Sequence, residues 1–336
     1  MRKVLLATTA LVGVAFAGAA NAAATSPITL NVGGYTDFVA GFFHEAQSTS
    51  AKKRTSNDFE TEFKLNFDAM GKGSNGIEYG ANVSLWNGSD ASNTWAGGNI
   101  TGTNPVQVGS AYVWLSGAFG KVLLGDERGA SDLIVYAPSV GEGQTDGRYT
   151  DFLDPTTMAF TSFHASGIDN TEHSTKITYY TPKVGNDTHK VQVGVSYATN
   201  MYDSSQAVQN YRNVAGTIAQ SPYQNYVEAT AGYWGNLRPV TLALSANIST
   251  ANAGATGVAT PTMFAAKPVG SFQDFTAWGL GGQIGFSGLS GLTIGGSYQD
   301  LGRYGTVQGQ NKAQQTYTLG AKYEMDKVGV AANWVN

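Results

Sequence analysis

The chain has no cysteine. Disulfides are thereby excluded, and the chain must be held together by other means. Charge is also scarce: Asp, Glu, Lys and Arg make up 13% of the residues, against about 25% in a soluble domain. Beyond the N-terminal segment there is no long apolar run, and a membrane-spanning helix needs ~20 such residues. A helical bundle in a bilayer is thereby excluded. Histidine is rare, and His44, His164, His173 and His189 stand apart with no metal-ligand spacing to carboxylates. No nucleophile-elbow serine and no phosphate-binding loop with lysine occurs. Gly279-Leu280-Gly281-Gly282-Gln283-Ile284 begins like a dinucleotide fingerprint but lacks the closing glycine and a following helix. Asp146, Asp151 and Asp154 do not have the spacing of the helix-loop-helix calcium site. The chain is therefore expected to catalyse nothing and to hold no metal or cofactor.

What is present points elsewhere. Met1-Arg2-Lys3 precedes an apolar run from Val4 to Ala20 and the small tripeptide Ala20-Asn21-Ala22, the parts of a secretory signal peptide. Cleavage is expected after Ala22, with Ala23 or Ala24 as alternatives; a retained anchor is the competing reading. Loss of Arg2 and Lys3 takes the formal charge from -4 to about -6, an acidity that disfavours a nucleic-acid partner. The rest, residues 23–336, is rich in glycine (43), tyrosine (17) and phenylalanine (15).

Its dominant pattern has period two. From Asp58 to Asp68, Phe59, Thr61, Phe63, Leu65 and Phe67 alternate with Asp58, Glu60, Glu62, Lys64, Asn66 and Asp68. Successive strand side chains face opposite ways, so one face is apolar and the other densely charged. The alternation returns in Ile77–Trp86, Lys190–Tyr197, Val240–Ile248 and Thr316–Met325. About thirteen strand-like segments follow Ile28, joined by links that alternate short and long. The short links are Gly71–Gly76, Ser116–Gly120, Val184–Thr188, Gly235–Pro239, Gly288–Gly291 and Asp326–Lys327. The long ones are His44–Asn57, Ser89–Pro105, Glu127–Glu172, Asn200–Pro222, Thr250–Phe275 and Arg303–Lys312. Tight turns at one end and polar loops at the other are the pattern of an all-β, transmembrane antiparallel barrel in a bacterial outer membrane. Nearly every strand charge falls on the inward face in this register, as a water-filled interior requires. Phe42, Phe43, Trp86, Tyr197, Tyr233 and Trp334 lie near strand ends and are expected in interfacial girdles. Such barrels have an even strand count, and the chain stops at Asn333-Trp334-Val335-Asn336 within a strand-like segment. The expectation is a C-terminally incomplete barrel lacking roughly three strands.

At Val106–Glu127 the chain reads VQVGSAYVWLSGAFGKVLLGDE. This resembles the hairpin before the inserted third loop of the general diffusion porins of Gram-negative outer membranes. A hydrophobic strand (Ala111–Leu115), a turn (Gly117-Ala118-Phe119-Gly120) and a short strand (Lys121–Asp126) are followed at once by the longest loop, about 127–172. The resemblance implies a sixteen-stranded barrel, a homotrimer, and a third loop folded into the lumen as its constriction. It also implies passive diffusion of ions and small hydrophilic solutes. The chain departs from the family pattern at Asp126, where many members carry an arginine. The Pro-Glu-aromatic-Gly-Gly loop motif is echoed only by Pro138 and Gly141-Glu142-Gly143, and the C-terminal aromatic is absent.

Within such a pore, charges at the narrowest point set ion preference. The long loop carries Asp132, Glu142, Asp146, Asp151 and Asp154, with Arg128 and Arg148 among them. Glu142 and Asp146 are expected to form the acidic side of the constriction, faced by Lys64 and Arg128. Solvated loop charges are the competing reading. Inward Tyr35, Tyr112 and Trp114 leave a sugar-specific channel open as an alternative, and a non-conducting surface barrel is another.

Overall fold

A computed structural model describes residues 28–42, 57–86, 106–140, 174–200, 223–253, 273–287, 291–304, 306, 314–325 and 328–336. The signal-peptide expectation, Phe43 and most of the long links lie outside them. The strands are β1 Thr29–Phe42, β2 Asn57–Lys72, β3 Glu78–Trp86, β4 Gln107–Gly117 and β5 Gly120–Asp126. After them come β6 Thr175–Tyr180, β7 Val184–Gly185, β8 His189–Asn200, β9 Tyr223–Leu237 and β10 Val240–Ala253. The series ends with β11 Phe275–Phe286, β12 Leu292–Gly302, β13 Gln314–Met325 and β14 Val328–Val335.

All belong to one antiparallel sheet. Each strand pairs with the next in sequence, except that the two-residue β7 lies off the path and pairs with β8. Thirteen strands thus form the meander that the alternation predicts. They run longer than the alternation alone indicates: β2 extends to Lys72 and β10 to Ala253, because glycine and threonine at strand ends do not register as apolar or charged. Register shifts occur at Ser84/Leu85, Thr250/Asn252 and Asp300/Gly302. All three sit at the long-link ends of their strands, where bulges commonly terminate pairing. At the other end the links are tight. In β4–β5, Gly117 pairs directly with Gly120 across Ala118-Phe119, and Gly120 has φ 108, a region that favours glycine.

Burial along the strands is inverted relative to a soluble protein. On β10, Ser245, Asn247 and Ser249 are covered while Leu244 and Ile248 are exposed. On β13, Thr318 is 4% exposed and its neighbour Leu319 58%. The register carries each parity into the next strand: Ser245 pairs with Gly281, Gly281 with Ser297, and Ser297 with Thr318. Across β10–β13 one face is therefore polar and small, the other apolar. Among the described residues no helix is long and apolar enough to cross a membrane; the crossing elements are strands, 9–16 residues long except for the described parts of β5, β6 and β14 at 7, 6 and 8, and about 9–11 tilted residues suffice.

The outer face carries aromatics in register: Trp278, Tyr298 and Tyr317 follow one another at ring-centroid distances of 5.2 and 5.1 Å. Tyr233 and Trp334 also lie on this face, paired with Leu244 and Leu319. Trp86 does not. It pairs with Lys64 on the inner face, where the missing side chain of Gly109 leaves room, an added Cβ there lying 3.1 Å from the Trp86 ring. The girdle expectation for Trp86 is corrected accordingly. An even residue number in β3 puts it on the polar parity.

Candidate functional site: the inserted segment and the inner wall

The segment after β5 turns inward at Gly129 and crosses the inner wall. At its root, the Tyr180 hydroxyl donates to Gly129 O at 2.7 Å, and the Lys176 ammonium donates to the carbonyl of Glu127. The Ala130 N–H donates to Ser196 Oγ at 3.2 Å, and the Ser196 hydroxyl donates to Glu228 Oε2 at 2.8 Å. Glu228 is 2% exposed. A carboxyl group that deep needs hydrogen-bond partners, and the Ser196 hydroxyl supplies one. A Cβ at Gly129 would meet Glu228 Oε2 and Ser196 Oγ, so any side chain there would have to displace the Ser196–Glu228 pair. Residues Ala130–Leu133 form one 3-10 turn that buries Ala130, Ser131 and Leu133 and leaves Asp132 exposed.

From there residues 134–140 run across the wall strand by strand. The Val135 N–H donates to Ser245 Oγ at 2.8 Å, on β10. Gln283 Nε2, on β11, donates to Tyr136 O at 2.9 Å. The Ala137 N–H donates to Thr318 Oγ1 at 3.3 Å, on β13. Val140 reaches β14, its two γ-methyls 3.0 Å from where a Cβ on Gly329 would stand. Glycines make the seat flat: a Cβ on Gly194 would lie 3.3 Å from Ala130 Cβ, and one on Gly320 3.1 Å from Ala137 Cβ. One on Gly281 would collide with the Val135 carbonyl. Backbone donors that would otherwise be stranded in an irregular segment are thus satisfied by wall hydroxyls.

Charge is distributed along the same face. Asp68 accepts from Asn82 Nδ2 at 2.6 Å. Lys72 and Glu78 pair at 3.0 Å, Lys322 and Glu324 at 3.1 Å. Lys64 is half-buried on β2, in a row with Tyr35 and Trp86. Arg128 and Asp132, both exposed, line one crevice of about 250 Å³ with Tyr112, Lys121, Leu123, Glu127, Leu133, Tyr180 and Gln192. Arg128 and Asp132 are thus brought together, and Lys64 is not part of that crevice. Glu142, Asp146, Arg148, Asp151 and Asp154 lie outside the described residues. Glu127 and Lys121, missing from the expected constriction set, share the crevice. The seat residues Ser196, Ser245, Gln283 and Thr318 were not expected either. Their only sequence signal is a run of small polar residues and glycines at inward positions of β8–β13.

An apolar outer surface, a polar and charged inner wall, and a chain segment laid across that wall define a transmembrane β-sheet protein with a hydrophilic interior. The chain belongs to the Gram-negative porin family, whose model matches residues 7–336, and it is an outer-membrane diffusion channel. Its fold is similar to that of the anion-selective porin from Comamonas acidovorans (18% identity, 92% of this chain and 78% of that chain covered, TM-score 0.54). Two substituted variants of the Rh. blastica porin match at 13% identity each, covering 91% of this chain and 93% of theirs, with TM-scores of 0.40 and 0.41. No curated protein matches the chain at a significant level.

Proposed function

We propose that this porin narrows its own lumen with the segment following β5, and that it works as a homotrimer without cofactor or catalysed step. Ions and small hydrophilic solutes pass by diffusion. The observation that carries this reading is the seating of residues 130–140 on β8–β14, which puts the segment inside the polar face and not over its rim. In the proposed constriction Glu142 and Asp146 form the acidic side, with Asp132, Asp151 and Asp154 on the same loop. Arg128, Arg148 and Lys64 supply the facing positive charge. The acidic excess gives a mild cation preference, since charges in a narrow passage act through little intervening water.

Single-channel current in a planar bilayer under a KCl gradient tests this. Stepwise conductance in multiples of three and a cation-selective reversal potential are expected. Glu142→Gln with Asp146→Asn should move the reversal potential toward zero; an unchanged value removes both from the constriction. Saturable uptake of one sugar would move the reading to a solute-specific channel, and insertion without current would overturn it.

A further inference from the structure

The crevice at the root of the inserted segment is more structured than narrowing a pore requires. It lies between the short-link half of β4–β8 and residues Glu127–Leu133. Its floor is apolar: Leu123, Leu133 and Tyr180 form a buried cluster against which Tyr112, Trp114 and Trp234 pack. Its rim carries charges of both signs, Lys121 and Arg128 as cations, Glu127 and Asp132 as anions. Lys121 is held over the Trp114 ring, 5.1 Å from its centroid, and the Gln192 amide is fixed by donating to Thr181 O at 2.9 Å. The opening of about 250 Å³ would hold roughly eight waters at ~30 Å³ each.

The geometry points to a weak binding subsite for small zwitterions of the amino-acid type. The solute carboxylate accepts from the Lys121 ammonium and the Arg128 guanidinium. Its ammonium donates to the Glu127 and Asp132 carboxylates, and its apolar side chain covers Leu123, Leu133 and the Tyr180 ring. A monovalent ion satisfies only one half of this rim, and a neutral sugar can hydrogen-bond to both halves but neutralises neither. Because Arg128 and Asp132 are exposed, water screens them. The affinity is then low enough for release, as a channel needs. This inference rests on the reading of the chain as an open channel.

The test is current through the full-length channel in a planar bilayer while L-leucine is added to one side. Partial block that saturates at millimolar L-leucine is expected. At equal concentration, 4-methylpentanoate (carboxylate only) and isoamylamine (ammonium only) should block much less. Glu127→Gln with Asp132→Asn should raise the half-blocking concentration for L-leucine about tenfold, the loss of a charged hydrogen-bond partner. Block that rises linearly without saturation, or equally for all three probes, would overturn the subsite. Absence of any current would instead overturn the channel reading. In that event the same three probes, ranked by saturation-transfer NMR on the detergent-solubilised protein, decide the subsite: L-leucine binding best supports it, and equal signals overturn it.

Discussion

Two serines on β10 separate the residue-level contributions. Ser245 Oγ accepts the Val135 N–H, whereas the Ser249 hydroxyl is buried with no hydrogen-bond partner among the described residues. Removing an acceptor strands a covered N–H and costs about 1–3 kcal/mol. Removing an unbonded hydroxyl relieves a desolvated group. Ser245→Ala should therefore lower stability by about 1–3 kcal/mol in urea titrations of the protein folded into lipid vesicles, while Ser249→Ala is neutral or slightly stabilising. Gly281→Val pushes a side chain into the Val135 carbonyl. It should lift the segment from its seat and raise single-channel conductance; an unchanged conductance would place the ion path away from residues 134–140. None of this was legible in the sequence. Ser245, Gln283 and Thr318 read as ordinary lumen residues, and Ala130–Val140 has no periodicity to mark where it docks. What a loop touches depends on contacts across 66 to 181 positions, and local pattern carries no such information.

At the level of the strand, legibility was high. The period-two pattern of Thr316–Met325 assigned faces that β13 reproduces, with Tyr317, Leu319, Tyr323 and Met325 exposed and Thr316 and Thr318 buried, and on β2 Phe59 is exposed as the pattern of Asp58–Asp68 predicts; one wrong step would exchange the two faces. The short links were found from glycine and the long ones from polarity. Strand ends were misjudged where bulges and small residues blur alternation, whereas Trp86 was misassigned because its nearness to a strand end was weighed without its parity. The inverted burial gives a direct test. Leu319→Arg, at the middle of β13 on the exposed face, should destabilise by about 2–4 kcal/mol. Gln192→Arg, on the inner face of β8, should cost about 1 kcal/mol or less. Vesicle-folding titrations check both, and equal costs would mean that β13 does not face hydrocarbon.

On the scale of the whole molecule, the sheet is a single sequential meander in which each strand between β1 and β14 on the path pairs with the strand on either side of it. The inserted segment is the exception: it ties β5 to β8, β10, β11, β13 and β14 from within. The four hydrogen bonds given above between the wall and residues 130–137 join uncharged groups, backbone amides and a carbonyl to hydroxyls and one carboxamide. Dissolved electrolyte screens charges but leaves such bonds largely untouched. Under the proposed narrowing, a cell that moves between dilute and saline water would thus keep the same aperture in its outer wall. The charges that sort its ions would not be so indifferent, and the cation preference should sharpen in dilute water and fade in brine.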